Sequence, residues 1–192
     1  YFDSFCQFVG NTLKIMGCKV VLLTGQINSG KTTQIQKWVA EANKNGVNVG
    51  GILAPDGTEG RFLIHLLSKK KVEFQIHNKD DYKEEELICI HKCKFMFLVT
   101  AFEWAQKTIL EDQSNKDVKY VVIDEIGPLE IKKGLGLEPA FTKFMKNRNN
   151  GHAPTIIVII RESLVKVFQE KYEVSDEDLV VLKDIKAFTD SE

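Results

Sequence analysis

A glycine-rich stretch early in the chain has the residue types and spacing of a phosphate-binding loop. Residues 25–32 read GQINSGKT and match the pattern GxxxxGK[ST] at every fixed position. Glycines let the backbone wrap closely around phosphate groups, so that successive N–H groups face the anion. Lys31 adds a positive charge for the β- and γ-phosphates, and Thr32 adds a hydroxyl group for Mg²⁺. The predicted phosphate-binding residues are Gly25, Gln26, Ile27, Asn28, Ser29, Gly30, Lys31, Thr32 and Thr33.

A pair of acidic residues follows an apolar run later in the chain. Residues 120–123 read YVVI, which is typical of a buried strand, and Asp124 and Glu125 come directly after it. This is the form of a Walker B segment, so we predict that Asp124 and Thr32 hold the metal. Successive side chains of a strand point in opposite directions, and Glu125 would then face the γ-phosphate as general base or water-positioning group. The simpler interpretation is that both acids end a strand at the surface.

Phosphoryl transfer builds negative charge, so a further cation beside Lys31 is expected. Arg161 follows a predicted strand at residues 155–160, at the end where parallel sheets bind ligands. We predict that Lys31, Glu125 and Arg161 are the catalytic residues. The alternative for Arg161 is an arginine at a helix start that pairs with Glu162 or with solvent.

Three other cationic residues are weaker candidates. Arg61 begins a predicted hairpin and would approach the phosphates from there, although such arginines are commonly surface groups. Lys132 and Lys133 are predicted to lie in a glycine-containing loop that closes over the site.

Strand-like and helix-like segments alternate along the chain, which indicates an α/β domain with a largely parallel sheet. The predicted parallel strands are residues 19–23, 47–53, 120–123 and 155–160. Residues 62–67 and 72–76 flank a lysine-rich turn and predict an antiparallel hairpin. We divide the chain into an N-terminal extension at residues 1–18, where a short docking helix is one interpretation and no role is assigned, and one domain at residues 19–192.

Composition narrows the classes of partner. The 192 residues carry 26 Lys+Arg and 27 Asp+Glu, a net charge of −1, which argues against nucleic-acid binding by bulk positive charge. No apolar run approaches the length of a membrane helix, so we expect no membrane partner. Four cysteines are too few for a disulfide framework and fit a reducing cytoplasm. Cys89, His91 and Cys93 occupy alternate positions and could present metal ligands on one strand face, but a fourth ligand is missing and strand-end packing is the simpler interpretation.

Two motifs together carry a resemblance to a known family. The run VVIDEIGPLEIKKGLGLEPAF at residues 121–141 and the stretch GQINSGKTT resemble the thermophilic-type nucleoside-triphosphatase family, which includes the cancer-related nucleoside-triphosphatases. The resemblance covers most of residues 19–172 and implies a RecA-like P-loop fold, with a mostly parallel central sheet flanked by helices and an added antiparallel hairpin. It also implies slow, Mg²⁺-dependent hydrolysis of several nucleoside triphosphates. By motif match, Lys31 and Thr32 would contact phosphate and metal, and Asp124 and Glu125 would take the metal-shell and water roles.

Three functions fit these motifs. The first is a nucleoside triphosphatase, because Asp124 and Glu125 together suit activation of water. The second is a nucleoside or nucleotide kinase, which usually needs an arginine-rich lid, whereas Arg61, Arg148 and Arg161 are dispersed along the sequence. The third is a non-catalytic regulatory module that binds nucleotide. The favoured base and the oligomeric state stay open.

Overall fold

The computed structural model describes residues 6–9, 12–15, 20–26, 29–57, 60–90 and 92–190. The strands, in chain order, are β1 Cys6–Val9, β2 Thr12–Ile15, β3 Val20–Gly25, β4 Val49–Leu53, β5 Asp56–Gly57, β6 Gly60–His65, β7 Lys71–Ile76, β8 Leu87–Ile90, β9 Phe95–Leu98, β10 Tyr120–Ile126, β11 Thr155–Arg161, β12 Leu179–Leu182 and β13 Phe188–Asp190. The α-helices are α1 Lys31–Lys44, α2 Val99–Ser114, α3 Pro128–Lys133, α4 Glu138–Lys146 and α5 Val165–Tyr172. Short 3₁₀ helices lie at Glu84–Glu86, Glu162–Leu164 and Ile185–Ala187.

Five parallel strands form the half of the large sheet that carries the motifs. Their order is β12-β3-β11-β10-β4, and every neighbouring pair is parallel. Strand β11 therefore lies between β3, which leads into the glycine-rich loop, and β10, which ends in the acidic pair. Because parallel strands end at one edge of the sheet, this order brings both motifs to the same edge. The α/β prediction and its four parallel strands are confirmed, with boundaries shifted by one to three residues.

Alternating apolar side chains cover both faces of these strands. Val20 and Leu22 point to the face that packs against α2, α4 and α5, whereas Val21 and Leu23 point to the face that packs against α1. All four side chains are fully buried. A strand buried on both faces needs apolar residues at consecutive positions, which explains the unbroken run in β3. The two layers hold the loop after β3 on a rigid support.

The antiparallel half of the sheet is larger than the single hairpin expected. Beyond β4 the order continues β6-β7-β9-β8, and β5 pairs with β6. The predicted β6–β7 hairpin is confirmed. The predicted α/β fold with helices flanking the sheet is confirmed, and among the described residues the sheet is mixed, because strands β5 to β9 pair antiparallel. Strand β9 was not predicted because it runs directly into α2 as one apolar stretch, in which periodicity does not separate strand from helix.

The N-terminal segment forms strands rather than the docking helix that was one interpretation. Strands β1 and β2 pair antiparallel, and β2 pairs in parallel with β13 from the other end of the chain. The remainder of residues 1–18 lies outside the described residues. Pairing with β13 is a long-range contact, so local amphipathic spacing in the N-terminal segment gave no sign of it.

We predict that alanine at Gly51 disrupts the centre of the sheet. A Cβ atom there would lie 1.9 Å from the carbonyl oxygen of Val122 on the neighbouring strand, and the Gly51 φ of +93° is itself unfavourable for alanine. Gly51→Ala should lower the free energy of unfolding by about 3 kcal/mol or more, measured by urea denaturation. Gly46→Ala is the matched control, because Gly46 also has a positive φ (+78°) but open space around its Cβ position, and it should cost only about 1 kcal/mol. Equal losses would show that φ alone, and not the contact with Val122, requires glycine.

Candidate active site

The glycine-rich loop joins the end of β3 to the first turn of α1. Gly30 has a φ of +78°, a left-handed conformation that favours glycine, and α1 begins at the next residue. A Cβ atom on Gly25 would lie 2.7 Å from the Ser29 Oγ, so a side chain there would collide with the loop. Ile27 and Asn28 lie outside the described residues. The N-terminus of α1 therefore faces the cleft, where backbone N–H groups favour an anion.

The Lys31 side chain lies along the inside of this loop. Its Nζ donates to the carbonyl oxygens of Gln26 (2.7 Å) and Gly25 (3.4 Å) and to the Ser29 Oγ (3.3 Å). The residue is buried, and these oxygens compensate its charge. The ammonium group is thus fixed at the mouth of the loop.

A hydrogen bond joins the two motifs. The Thr32 hydroxyl donates to the Asp124 Oδ2 at 2.9 Å, and the same oxygen accepts the backbone N–H of Ala54 at 3.2 Å. Asp124 is 96% buried, since only 4% of its surface is exposed. The loop after β3 and the acidic end of β10 therefore form one site, as their placement at the ends of parallel strands predicted.

Burial dominates the electrostatics of Asp124. Loss of water around the carboxylate raises its pKa from 3.8 to about 6, and the Glu125 charge acts in the same direction. The hydrogen bonds from Thr32 and Ala54 and the charge of Arg61 oppose this rise. The carboxylate is therefore held where its negative charge is costly and where a bound cation would be favoured.

Glu125 and Arg161 face each other across the adjoining strand ends. An Arg161 guanidinium nitrogen lies 3.8 Å from the Glu125 Oε1, and both side chains are about two-fifths exposed (40% and 36%). The register of β10 against β11 shifts here, because Asp124 pairs with Ile159 and Ile126 with Ile160. The peptide bond between Asp124 and Glu125 at this irregularity is cis, and both consecutive residues line the same cleft rather than opposite faces of the strand.

Arg61 reaches the site from the antiparallel half of the sheet. Its guanidinium donates to the Ala54 carbonyl oxygen at 3.1 Å, and its charge lowers the pKa of Asp124. Arg61 and Arg161, separated by one hundred positions in sequence, therefore line one cleft. The dispersion of arginines along the sequence did not indicate this convergence.

The cleft between these groups has a volume of about 970 Å³. The predicted site residues that line it are Ser29, Gly30, Lys31, Thr32, Thr33, Asp124, Glu125 and Arg161. Lining residues that were not predicted are Gln36, Pro55, Gly60, Gln75, His77, Phe95 and Ile159. They belong to no local motif, and only the pairing of the antiparallel strands brings most of them to the cleft.

The cysteine pair does not form the face that was considered for metal binding. Cys89 lies within β8, and Cys93 lies in the following turn with a positive φ. A disulfide bond joins the two residues. His91 lies outside the described residues. Within the part of the chain that the structure describes, no three His, Cys, Asp or Glu side chains are grouped to hold a metal ion. A reducing, cytoplasmic environment stays a prediction.

Comparisons with known proteins agree with this geometry. The family model described as NTPase matches residues 20–186. The chain belongs to the NTPase family. This family member is 27% identical over 151 residues to the nucleoside-triphosphatase THEP1 of Methanopyrus kandleri, with 74% of each chain covered. It is also similar in fold to the crystal structure of THEP1 from Aquifex aeolicus, with a TM-score of 0.57, 19% identity, and 85% of this chain and 88% of that chain covered.

No helix among the described residues of this family member is long and apolar enough to cross a membrane.

The donor set around Asp124 fits a magnesium ion. The carboxylate of Asp124 and the hydroxyl of Thr32 both line the cleft and are hard oxygen donors, which Mg²⁺ prefers. While the Thr32 hydroxyl donates its proton to Asp124, its oxygen keeps lone pairs for a cation. Few protein ligands are needed, because Mg²⁺ normally keeps several waters and binds phosphate oxygens.

We predict that Asp124→Asn stabilises the metal-free, nucleotide-free protein at neutral pH. The folded-state pKa of Asp124 lies above its ordinary value, so the cost of ionising it builds up as the pH rises from about 4 to about 6. Asparagine keeps an oxygen for Thr32 and Ala54 and carries no charge. The free energy of unfolding should rise by about 2 kcal/mol at pH 7, and the difference should nearly vanish at pH 4.

Denaturant titrations in EDTA at both pH values check this prediction. Asp117→Asn is the matched control, because Asp117 is exposed and should show no pH-dependent difference. A less stable Asp124→Asn protein at pH 7 would mean that the ionised carboxylate gains more from its hydrogen bonds than it loses by burial.

Proposed function

We propose that the chain hydrolyses nucleoside triphosphates to nucleoside diphosphates and phosphate. The hydrogen bond between Thr32 and Asp124 is the observation that carries this proposal, because it joins a phosphate-binding loop to a buried carboxylate at one edge of the sheet. Membership of the NTPase family and the name of the Methanopyrus relative support it.

The triphosphate binds along the loop and the start of α1. The backbone N–H groups of Gly30 to Thr33, at the start of α1, point toward the phosphates, whereas the Ser29 N–H donates to the Gln26 carbonyl oxygen. Lys31 exchanges part of its contact with that carbonyl for the β- and γ-phosphate oxygens. Thr32 and Asp124 would hold Mg²⁺, and when bound that ion would supply positive charge to the phosphate groups.

Glu125 receives the proton of the attacking water. Its carboxylate opens onto the cleft beside Asp124, where it can accept a hydrogen bond from water. The water oxygen bonds to the γ-phosphorus, the bond from that phosphorus to the β-bridging oxygen breaks, and the diphosphate leaves. Arg161, at 3.8 Å from Glu125, orients the carboxylate and places a cation near the phosphoryl oxygens.

Phosphate release from ATP, GTP, CTP and UTP in the presence of Mg²⁺ tests the proposal. We expect steady turnover without an added acceptor, and we expect Lys31→Ala to lose it. Glu125→Gln should retain nucleotide affinity while kcat falls by about 10²–10⁴-fold, because the amide does not accept the proton.

Glu162→Gln is the matched control for Glu125→Gln. Glu162 is exposed near the same strand end and pairs with Lys183, so its loss should leave turnover unchanged. Unchanged turnover in Glu125→Gln would remove Glu125 from the mechanism, and absence of phosphate release in the unmodified protein would refute hydrolysis.

We predict that Arg161 acts on kcat. Arg161→Ala should lower kcat by about 10²–10³-fold, because a cation beside the transferring group is lost. Arg148→Ala is the control, since Arg148 donates to the carbonyl oxygens of Met145 and Glu173 away from the cleft and should keep full turnover. Steady-state kinetics on both variants separate the two positions, and equal effects would show that Arg161 has no special role.

A further inference from the structure

A second cavity adjoins the phosphate cleft, and the proposed hydrolysis assigns no role to its apolar walls. It has a volume of about 460 Å³. We call it the apolar chamber, and its walls are formed mainly by Leu63, Phe74, Phe97, Phe102, Leu129 and Leu137. The ring centroid of Phe74 lies 4.8 Å from that of Phe97 and 5.0 Å from that of Phe102, so the three aromatic rings form one cluster. A cavity of this size and lining is typical of small-molecule sites.

The chamber and the cleft share their reactive groups. Arg61, Asp124, Glu125 and Arg161 line both cavities. None of the described residues of the glycine-rich loop lines the chamber. The chamber therefore meets the site on the side of Glu125, away from the loop that would hold the β-phosphate.

This position is the one from which a nucleophile attacks. In phosphoryl transfer, the attacking oxygen and the leaving oxygen lie roughly in line on opposite sides of the phosphorus. With the β-phosphate in the loop, an attacking group comes from the side away from the loop, which is the chamber side. A molecule in the chamber can thus place an oxygen between Glu125 and the γ-phosphate.

Residues 124–130, which read DEIGPLE within the run that carries the family resemblance, form part of the chamber wall. Glu125, Gly127, Pro128, Leu129 and Glu130 of the motif all line it. Glu130 is buried, but its oxygens accept the N–H groups of Gly127 (3.0 Å) and Leu137 (3.3 Å), so it fixes the wall. A water molecule as sole acceptor needs no aromatic wall at this place.

Polar groups at the chamber suit a ligand with a polar arm. Lys132 and Lys133 line it from the last turn of α3, not from the closing loop that the sequence had suggested. Arg61 and Arg161, which are dispersed in the sequence, both lie at the junction and supply cations for phosphoryl transfer. Aromatic walls, a polar edge and a carboxylate at the junction fit a flat ring whose polar arm carries a hydroxyl group.

We propose that the apolar chamber binds a nucleoside and that the chain transfers the γ-phosphoryl group of a nucleoside triphosphate to its hydroxyl group. This inference rests on the phosphate and carboxylate roles of the proposed function. Glu125 accepts the proton of the nucleoside hydroxyl, and the hydroxyl oxygen bonds to the γ-phosphorus. The bond from that phosphorus to the β-bridging oxygen breaks, which gives a nucleoside monophosphate and a nucleoside diphosphate.

The experiment follows label from the γ-phosphate of ATP. The full chain is incubated with Mg²⁺ and labelled ATP, alone and with millimolar adenosine, guanosine, cytidine or uridine, and labelled monophosphate and free phosphate are separated. We expect labelled monophosphate with at least one nucleoside, at a rate equal to or above phosphate release, because a bound hydroxyl replaces the attacking water.

Two variants address the chamber by opposite changes. Phe97→Leu removes an aromatic wall, and Ile90→Trp fills the chamber from β8, at the edge of the sheet, where a larger side chain is more easily accommodated. Each should lower the ratio of labelled monophosphate to free phosphate by about tenfold, as expected for the loss of one base-stacking contact. Leu135→Ala is the control, because Leu135 is 45% exposed and lies outside both linings, and it should leave the ratio unchanged. Thermal melts confirm that the variants are folded.

The outcomes separate this inference from the proposed function. Phosphoryl transfer is overturned, and hydrolysis left intact, if the label stays in free phosphate with every nucleoside. The same conclusion follows if a nucleoside inhibits phosphate release without forming labelled monophosphate. A ratio that neither chamber variant changes assigns the acceptor elsewhere and also overturns it. Absence of free phosphate without nucleoside refutes hydrolysis alone, and transfer in that case still supports the chamber.

Discussion

A single buried carboxylate ties the two halves of the site together. The Asp124 Oδ2 accepts hydrogen bonds from Thr32 at the start of α1 and from Ala54 after β4. These donors come from two elements on either side of β10, so the carboxylate fixes the relative position of the loop and the strand ends. Its burial raises its pKa, which means that the free protein holds the charge at a cost. A site with such a carboxylate is preorganised for a cation and is destabilised without one.

The order of the parallel strands decides what surrounds that carboxylate. Because β11 lies between β3 and β10, its last residue, Arg161, comes next to both motifs without any special loop. Arg161 pairs in register with Gly25, and this fixes its height relative to the glycine-rich loop. The antiparallel strands then add Arg61 on the other side. Arg61 and Arg161, which are far apart in the sequence, therefore lie at one cleft in the folded protein.

Candidate site residues that belong to a local sequence motif could be predicted from the sequence. Lys31 and Thr32 follow from the spacing of the loop, and Asp124 follows from an apolar strand that ends in an acid. Phe95, His77 and the chamber wall could not be predicted, because antiparallel pairing over many residues brings them to the site. Lys132 and Lys133, predicted to lie in a glycine-containing loop, belong to the last turn of α3, which Gly134 ends in a left-handed conformation. The β1–β2–β13 sheet could not be predicted because β2 pairs with β13 from the other end of the chain, a contact that no local pattern indicates.

The chamber changes how the acidic pair is understood. If water were the sole acceptor, an apolar cavity beside Glu125 would hold no nucleophile, because such walls offer few hydrogen bonds to water. Yet Glu130 is kept buried, with a raised pKa of about 7, to hold Gly127 and Leu137 in the chamber wall. Burying a second carboxylate costs free energy, and an apolar residue at position 130 would avoid that cost. The Glu130 side chain instead supplies the two hydrogen bonds that fix the chamber wall. Under the proposed transfer, hydrolysis is the reaction that the site carries out when water, rather than a bound hydroxyl group, reaches the γ-phosphate.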